Sequence, residues 1–489
     1  MVDEFLKKKG SKDSIEVLLN PLSLLSSPFD YEDLKKSIDF LKEKSEYGEK
    51  ALLIAHEDMD GIASLIISIS LLKSLNIPYE VYIPSKEEDP HGISHKVIKW
   101  GIEKDTNFLF ALDCGISDVR EIKYAQENGM DVLILDHHRY GHSYDSFLFI
   151  HPKKGSGFPY LSASALSLLL FYGYHILEGR DFDYIYRENP DEIILSACGI
   201  LADRVPLIGD NLFIVKKAKQ IIEEKRGNLY RIYNEATGKE PSLWSFVSSF
   251  SALTSREGKS LLLYLFEDGD ISLKKEYLLR ILKEEKLSMK LSKESLNLAK
   301  EFIDIREHFV LVVDKNIRLR SLGWIANVLK RKYYLPAVVI AYRKDGIWVG
   351  EGRSFPPISI YNAFNRIKDL FVDFGGHHYA AGFSIKQENL KFFDKKFEES
   401  IRKEKEKNWK EKVDILINGD YLHELEDILN LGKKNFYLSC YLENIKIEEL
   451  RKSFGGQIYG IPAENGIYDM VLSIDENGGR VFWKSKQTE

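Results

Sequence analysis

Cysteine is scarce. Cys114, Cys198 and Cys440 are the only three in 489 residues, far apart and without a CxxC pair. That argues against a disulfide-stapled secreted module and against a thiolate zinc cage, and it leads to the expectation of a reduced, cytoplasmic protein. Long apolar runs are also missing. The nearest to a membrane span, residues 51–72, is broken by His56, Glu57, Asp58 and Asp60. The opening MVDEFLKKKGSKD lacks the apolar stretch of a signal peptide. A basic surplus is absent as well: Lys and Arg number 69 against 75 Asp and Glu, a net charge of −6. Such a balance is wrong for a protein that coats nucleic acid by bulk charge. It still permits a nucleic-acid enzyme with a local basic groove, because a carboxylate-rich metal site itself contributes negative charge.

What is present is 44% hydrophobic residues in a chain too long for one core, so two or three domains are expected. Apolar strand-like segments alternate with helix-like ones over the first 200 residues: ALLIAH (51–56), an apolar helix over 61–75, YEVYIP (79–84), NFLFALD (107–113), a helix over 119–129, DVLILD (131–136) and FLFIHP (147–152). Near-continuous apolar strands in a βαβ rhythm predict a parallel sheet covered on both faces. Packed helices are predicted over 161–177 and 191–204. The apolar spacing of 274–305 predicts a long connecting helix. Strands return at 309–314, 337–343 and 347–353, followed by a charged helix over 395–412. The last residues mix short strands with turns such as FGGQ and ENGG.

One stretch, LILDHHRYGHS (133–143), runs from an apolar strand straight into Asp136, His137 and His138. Alone, it is an ordinary exit of a strand to solvent. The same ending recurs, however. ALLIA ends in His56, Glu57, Asp58, Met59, Asp60, Gly61; LFAL ends in Asp113, Cys114, Gly115; a predicted helix ends at Asp203 in GILADRVPL. In an open α/β sheet the carboxyl ends of strands meet at the ligand crevice, so these residues are expected to converge. Alternation along His56-x-Asp58-x-Asp60 would aim three side chains one way. Several carboxylates in one place repel unless a cation is bound. A mixed Asp/His set suits Mn²⁺, Mg²⁺ or Zn²⁺. Two such ions roughly 3.5–4 Å apart would activate a water and stabilise an in-line phosphoryl displacement.

The ordered motifs HEDMDG (56–61), LDCG (112–115), DHH (136–138) and CGILADRVPL (198–207) resemble those of the DHH phosphoesterase superfamily. RLRSLGWIANVLKRKYYLPAVVIA (318–341), EGRS (351–354) and FGGHHYAAGFSI (374–385) resemble the associated DHHA1 domain. Within the superfamily the likeness is to RecJ-type single-strand exonucleases, in particular archaeal ones, including the GINS-associated nucleases. The resemblance implies an α/β fold with a parallel-sheet DHH domain (1–210), a helical connector (211–308), a smaller α/β DHHA1 domain (309–400) and a small α+β region of open role (401–489). It implies His56, Asp58, Asp60, Asp113, His137 and Asp203 as ligands of two Mn²⁺ ions, with Mg²⁺ as the alternative and Asp113 bridging. His138 would touch the scissile phosphate, Asp136 would orient the histidines, and Glu57 would face away. Bacterial RecJ has Asp at the first position, so His56 follows the archaeal variant.

The implied activity is 5′→3′ hydrolysis of single-stranded DNA in replication or repair. RNA or short oligonucleotides are alternative substrates. A GINS complex or the replicative helicase is the implied protein partner, and a scaffold without activity is the rival from another class. Arg353, Ser354, Gly375, Gly376 and His377 are the expected substrate contacts. HHYAAGF is expected to begin a helix whose backbone N–H groups face a phosphate. Cys114 lacks a base partner for thiol catalysis, and Lys153 and Lys154 read as a solvated pair.

Overall fold

A computed structural model describes residues 26–85, 92–138, 146–251, 260–267, 269–343 and 346–405, and, nearer the C-terminus, 415–418, 425, 429, 438–459, 461–464, 467–475 and 478–486. Among these the chain divides into two compact units, one running to Ser288 and the other starting at Met289. No helix among the described residues is long and apolar enough to cross a membrane.

The first unit is built on five strands, β1 (Ala51–Ala55), β2 (Tyr79–Tyr82), β3 (Phe108–Leu112), β4 (Asp131–Leu135) and β5 (Leu148–Ile150). They lie in the order β2-β1-β3-β4-β5, every pair parallel. β1 and β3 are buried throughout, which is why they read as unbroken apolar runs. The order reverses direction at β1, and the crevice at such a switch point opens at the carboxyl ends of the strands. Helix α1 (Leu34–Glu46) precedes β1 and α2 (Met59–Ser74) follows it. Next come α3 (His95–Glu103), α4 (Val119–Glu127), α5 (Ala163–Leu177), α6 (Phe182–Glu188) and α7 (Pro190–Asp203). α2 is buried almost all round because it packs against the sheet on one side and α5 and α7 on the other. Helices α8 (Gly209–Glu223) and α10 (Leu243–Ser251), with α9 (Asn228–Thr237) between them, begin the expected connector. α8 and α10 pack on α7, so this part belongs to the first unit.

α11 (Ile271–Ala299) runs across the boundary between the units. The helix predicted to Ile305 stops at Ala299, and Ile303–Ile305 forms the edge strand β6 instead. A six-stranded sheet in the order β10-β11-β9-β8-β7-β6 organises the second unit. Its other strands are β7 (Val310–Val313), β8 (Ala337–Tyr342), β9 (Ile347–Arg353), β10 (Phe371–His377) and β11 (Ala380–Lys386), and β7–β8 is its parallel pair. Alternation divides the apolar side chains between two cores. Val310, Val312, Ala337, Val339 and Ala341 meet α12 (Leu322–Tyr333). Leu311, Val338, Ile340 and Phe383 meet α13 (Ile360–Asn365) and α14 (Gln387–Lys405). Residues 406–412 of the predicted charged helix lie outside the described residues. Five further strands, β12 (Ile415–Asn418), β13 (Leu438–Lys446), β14 (Ile458–Tyr459), β15 (Ile467–Asp475) and β16 (Gly478–Lys486), form a sheet in the order β12-β13-β15-β16-β14, with α15 (Ile447–Phe454) after β13. The FGGQ turn follows α15, and ENGG falls partly on residues outside those described.

Candidate metal centre

The polar residues of the first unit gather at the carboxyl ends of β1, β3 and β4 and the C-terminal end of α7. His56 leaves β1, and its Nδ1 lies 2.8 Å from Asp58 Oδ2 and 3.7 Å from Asp113 Oδ2. Asp58 is the N-cap of α2, where its Oδ1 accepts from the Gly61 N–H at 3.1 Å. Asp113 follows β3 in a left-handed conformation, φ 59°, with its N–H bonded to the Leu135 carbonyl at 2.8 Å. His137 Nε2 lies 3.3 Å from Asp113 Oδ1, 3.6 Å from Asp203 Oδ2 and 3.9 Å from Asp60 Oδ2. Two of the groups whose ligand atoms lie close enough to hold an ion are His56 with Asp58 and Asp113, and Asp60 with His137 and Asp203; Asp113 is also grouped with Asp136 and His138. Asp113 touches the first two groups through its two oxygens.

Asp60 does not point with His56 and Asp58 as strand alternation suggested. The extended backbone ends at Asp58, and Asp60 is already in the first turn of α2. Its buried carboxylate turns towards the start of α5, accepting from the Ala163 N–H at 2.7 Å and the Ser164 N–H at 3.1 Å. These are orphan donors of a helix N-terminus, a natural seat for an anion. The two motif glycines make this arrangement possible. A Cβ on Gly61 would stand 2.3 Å from the His56 carbonyl oxygen. A Cβ on Gly199 would stand 2.3 Å from Asp60 Oδ1 and 2.2 Å from Ser164 Oγ.

Burial and mutual repulsion push the carboxyls up. Asp113 is held well above the usual range, first by burial and then by Asp58, Asp60, Asp136 and Asp203. Burial and then Asp60 and Asp58 do the same to Asp203, and Asp60 is raised mainly by burial. Asp136 behaves oppositely. Burial alone would raise it, but His138 beside it holds it below the usual range. Burial would lower His138, yet its attraction to Asp136 lifts it to about 9. Asp136 Oδ1 takes His138 Nδ1 at 2.7 Å and the His137 and His138 N–H groups at 2.7 and 3.0 Å. Its Oδ2 accepts from the Ile116 N–H at 3.2 Å. Asp136 is therefore an internal clamp for the DHH turn, even though it also groups with Asp113 and His138.

The residues fit divalent cations. Buried Asp113 Oδ1 accepts no hydrogen bond, and four neighbouring carboxylates repel Asp113 at a site with three imidazoles. Cations of charge two remove that repulsion, and a mixed N/O set is what Mn²⁺ accepts.

A model of the DHH family, N-terminal domain, matches residues 50–200, and one of the DHHA1 domain matches residues 307–403. The chain carries a DHH domain and a DHHA1 domain. It is 25% identical over 382 residues to the single-stranded-DNA-specific exonuclease RecJ of Bacillus subtilis, a match that covers 74% of this chain and 47% of that one. It is 26% identical over 378 residues to RecJ of Thermus thermophilus, covering 75% and 53%. The chain thus spans about half the length of those two relatives. Among solved structures, an exonuclease RecJ bound to manganese superposes with a TM-score of 0.63 at 23% identity, over 78% of this chain and 96% of that one. The Mn²⁺ complex of Thermus thermophilus RecJ gives 0.65 at 18% identity, over 97% and 74%. At these identities the likeness establishes the fold.

In the DHHA1 domain the expected substrate contacts have quite different settings. FGGHHYAAGF does not begin a helix. It forms the β10–β11 hairpin, with Gly375 opposite Gly382 and Gly376 opposite Ala381. Gly376 has φ 128°, and a Cβ there would stand 2.5 Å from the Ala380 carbonyl oxygen. Pairing of β11 with β9 overrides the helical character of HHYAA. The helix-terminus phosphate seat is therefore withdrawn. Gly375 has open space above it; it pairs with Gly382, which in turn pairs with Glu351. Arg353 Nη1 donates to Glu351 Oε2 and to the Gly352 carbonyl, each at 2.9 Å. Ser354 is buried, donating to the Ile358 carbonyl and accepting from the Ile360 N–H, so its hydroxyl holds a turn. His377 ends β10 at the hairpin.

Sequence reasoning missed His151. It ends β5, is 1% exposed, accepts the Lys153 N–H on Nδ1 at 3.1 Å and so donates from Nε2 to the His138 carbonyl at 2.9 Å. It locks the DHH turn from the next strand, and the signal was the recurring pattern itself, an imidazole where the apolar run FLFI ends. Glu57 belongs to neither ligand group. The buried Cys114 thiol is pushed up by burial and then by Asp136, which removes it as a nucleophile. Lys154 is not solvated: it pairs with Asp33 and lies over the Phe149 ring.

Proposed function

We infer that the chain is a divalent-metal-dependent exonuclease that hydrolyses phosphodiester bonds of single-stranded DNA, in the 5′→3′ direction. The observation that carries this reading is the meeting of two ligand groups at Asp113. Divalent ions there, Mn²⁺ before Mg²⁺, supply a more acidic water and positive charge for the oxygens of an in-line displacement. His56 and Asp58 would hold one ion and Asp60, His137 and Asp203 the other, with Asp113 between. Asp136 holds His138 Nδ1 and fixes its ring, and Nε2 would donate to a non-bridging oxygen of the scissile phosphate. Arg353, the backbone at Gly375 and Gly376, and His377 are the proposed contacts to neighbouring phosphates. RecJ names of the relatives support the substrate class, and the archaeal pattern at His56 supports a place beside a GINS complex or a replicative helicase.

The test is a Mn²⁺-dependent assay on 5′- and 3′-labelled single strands of DNA and of RNA. Mononucleotides released from the 5′ end of DNA, and silence in EDTA, are expected. Equal cleavage of blunt duplex, or full activity in EDTA, overturns the reading.

A further inference from the structure

The sheet of residues 415–486 has no role in the reading above, yet one of its arginines is held in an unusual way. Arg480 of β16 places its guanidinium carbon 3.4 Å from the ring centre of Tyr334 and 5.5 Å from that of Tyr459. Both tyrosines keep half their surface in solvent, 50% for Tyr334 and 53% for Tyr459. A staple made only to fasten this sheet to α12 would be expected to bury its rings. Tyr334 is also the C-cap of α12 in the left-handed region, φ 54° and ψ 36°, a conformation that bulky residues seldom adopt. That backbone turns the ring out of the helix axis and onto Arg480. The turn just before it carries the exposed cations Arg331 and Lys332. A helix C-terminus welcomes cations, which accounts for their presence but not for two open rings with an arginine between them.

We propose that Arg331, Lys332, Tyr334, Tyr459 and Arg480 form a binding surface for a single nucleic-acid strand, whose bases stack on the tyrosines while its phosphates meet the cations. Open aromatic faces interleaved with fixed positive charge are what an unpaired strand needs, because every base has a π-face and every link carries a negative charge. A duplex hides its bases and offers the rings nothing to stack on. The proposal rests on the reading of this protein as a single-strand nuclease, and it gives the 401–489 region the task of holding strand beyond the two nucleotides being separated.

The experiment uses the full chain in EDTA, so that nothing is cut, and follows the anisotropy of a fluorescein-labelled 20-nucleotide oligo(dT) and of an abasic strand of equal length. Tyr459→Leu keeps an apolar side chain in its strand. Tyr334→Asn suits the left-handed backbone. Each should weaken oligo(dT) binding about fivefold or more and leave the abasic strand almost unaffected. Lys332→Glu should weaken both strands and flatten the salt dependence. Hydrolysis of a dinucleotide in Mn²⁺ should be unchanged in Tyr459→Leu, which reports a sound fold. Wild-type affinity for oligo(dT) in both tyrosine variants, or equal losses on the abasic strand, overturns the proposal and leaves the nuclease reading standing. A wild-type chain that binds neither strand and cuts neither overturns both.

Discussion

The metal centre and the DHHA1 hairpin are both marked by glycines and paired histidines, but they are built in opposite ways. At the centre, every side chain leaves the end of a buried strand or helix, and its backbone is held by a neighbouring strand: the Asp113 N–H by Leu135, the Asp136 N–H by Ile150, and the His138 carbonyl by His151. Geometry there is inherited from the sheet. In FGGHHYAAGF the glycines are themselves the structure, and what they present is backbone. Side chains that do chemistry are placed by rigid elements, whereas surfaces that accept a polymer are opened by leaving side chains out. The first region should therefore fail abruptly under substitution and the second gradually.

The largest effect should come from Asp113→Ala. It deletes the one carboxylate shared by both ligand groups, and turnover should fall by about a thousandfold or more while the thermal transition in EDTA is retained. Because Asp113 is buried among like charges, its loss relieves repulsion in the metal-free protein. Near-normal turnover by folded Asp113→Ala protein would refute the shared-ligand assignment. Next in size are the two histidines. His137→Ala should lose bound metal, because a ligand is gone. His138→Ala should keep its metal and lose roughly 100-fold or more in turnover, because only a contact to the phosphate is gone. Metal content of the purified variants, measured beside their rates, separates the two, and equal metal loss from both would show the pair to be wrongly divided.

These outcomes also measure how much was legible from residues alone. β1, β3 and β4 could be read because a strand buried on both faces must be apolar without a break, so an Asp or His at its end stands out. That brought His56, Asp58, Asp113, Asp136 and His137 to one place, and Asp203 joined them from the end of a predicted helix. Asp60 lies near the others but faces α5 and not the direction of His56 and Asp58, since the switch from extended to helical backbone at Met59 leaves no mark in a run of alternating acids. His151 and the α5 amides at Ala163 and Ser164 escaped because their part is played through backbone and long-range packing. The hairpin was misread as a helix for a related reason. HHYAA has helical character, and only its pairing with β9, far off in sequence terms, decides otherwise.

An intermediate effect is expected where the two styles of construction meet, at Gly199. It is a glycine, but it lies inside α7 and makes room for Asp60. Gly199→Ala must displace both the Asp60 carboxylate and the Ser164 hydroxyl. Metal affinity should fall about 10- to 100-fold, as for other groups that orient a ligand. Stability should fall by about 1–3 kcal/mol from overpacking. Titration of Mn²⁺ against activity, with a denaturant melt in parallel, checks both. If affinity is unchanged while stability drops, Gly199 serves packing alone.

The smallest effect should be that of Arg353→Ala in the DHHA1 domain. Its Nη1 is engaged by Glu351 and the Gly352 carbonyl, and a Cβ on Gly323 would lie 2.4 Å from its Nη2, so part of its task is to support the start of α12. The ion pair, three-quarters or more shielded on both sides, should be worth no more than about 1 kcal/mol. A guanidinium has five N–H donors, so those that Glu351 and Gly352 leave over suffice for a phosphate. On that view Arg353→Ala raises KM for a long single strand roughly three- to tenfold, and raises it less for a dinucleotide, which reaches fewer contacts. Its effect should shrink with added salt, because a phosphate contact is an exchange with counterions. A purely structural arginine behaves differently: its removal lowers the melting temperature and shifts both substrates alike at every salt concentration. Measuring KM for both lengths across a salt series therefore decides whether Arg353 meets the strand or serves only to support α12.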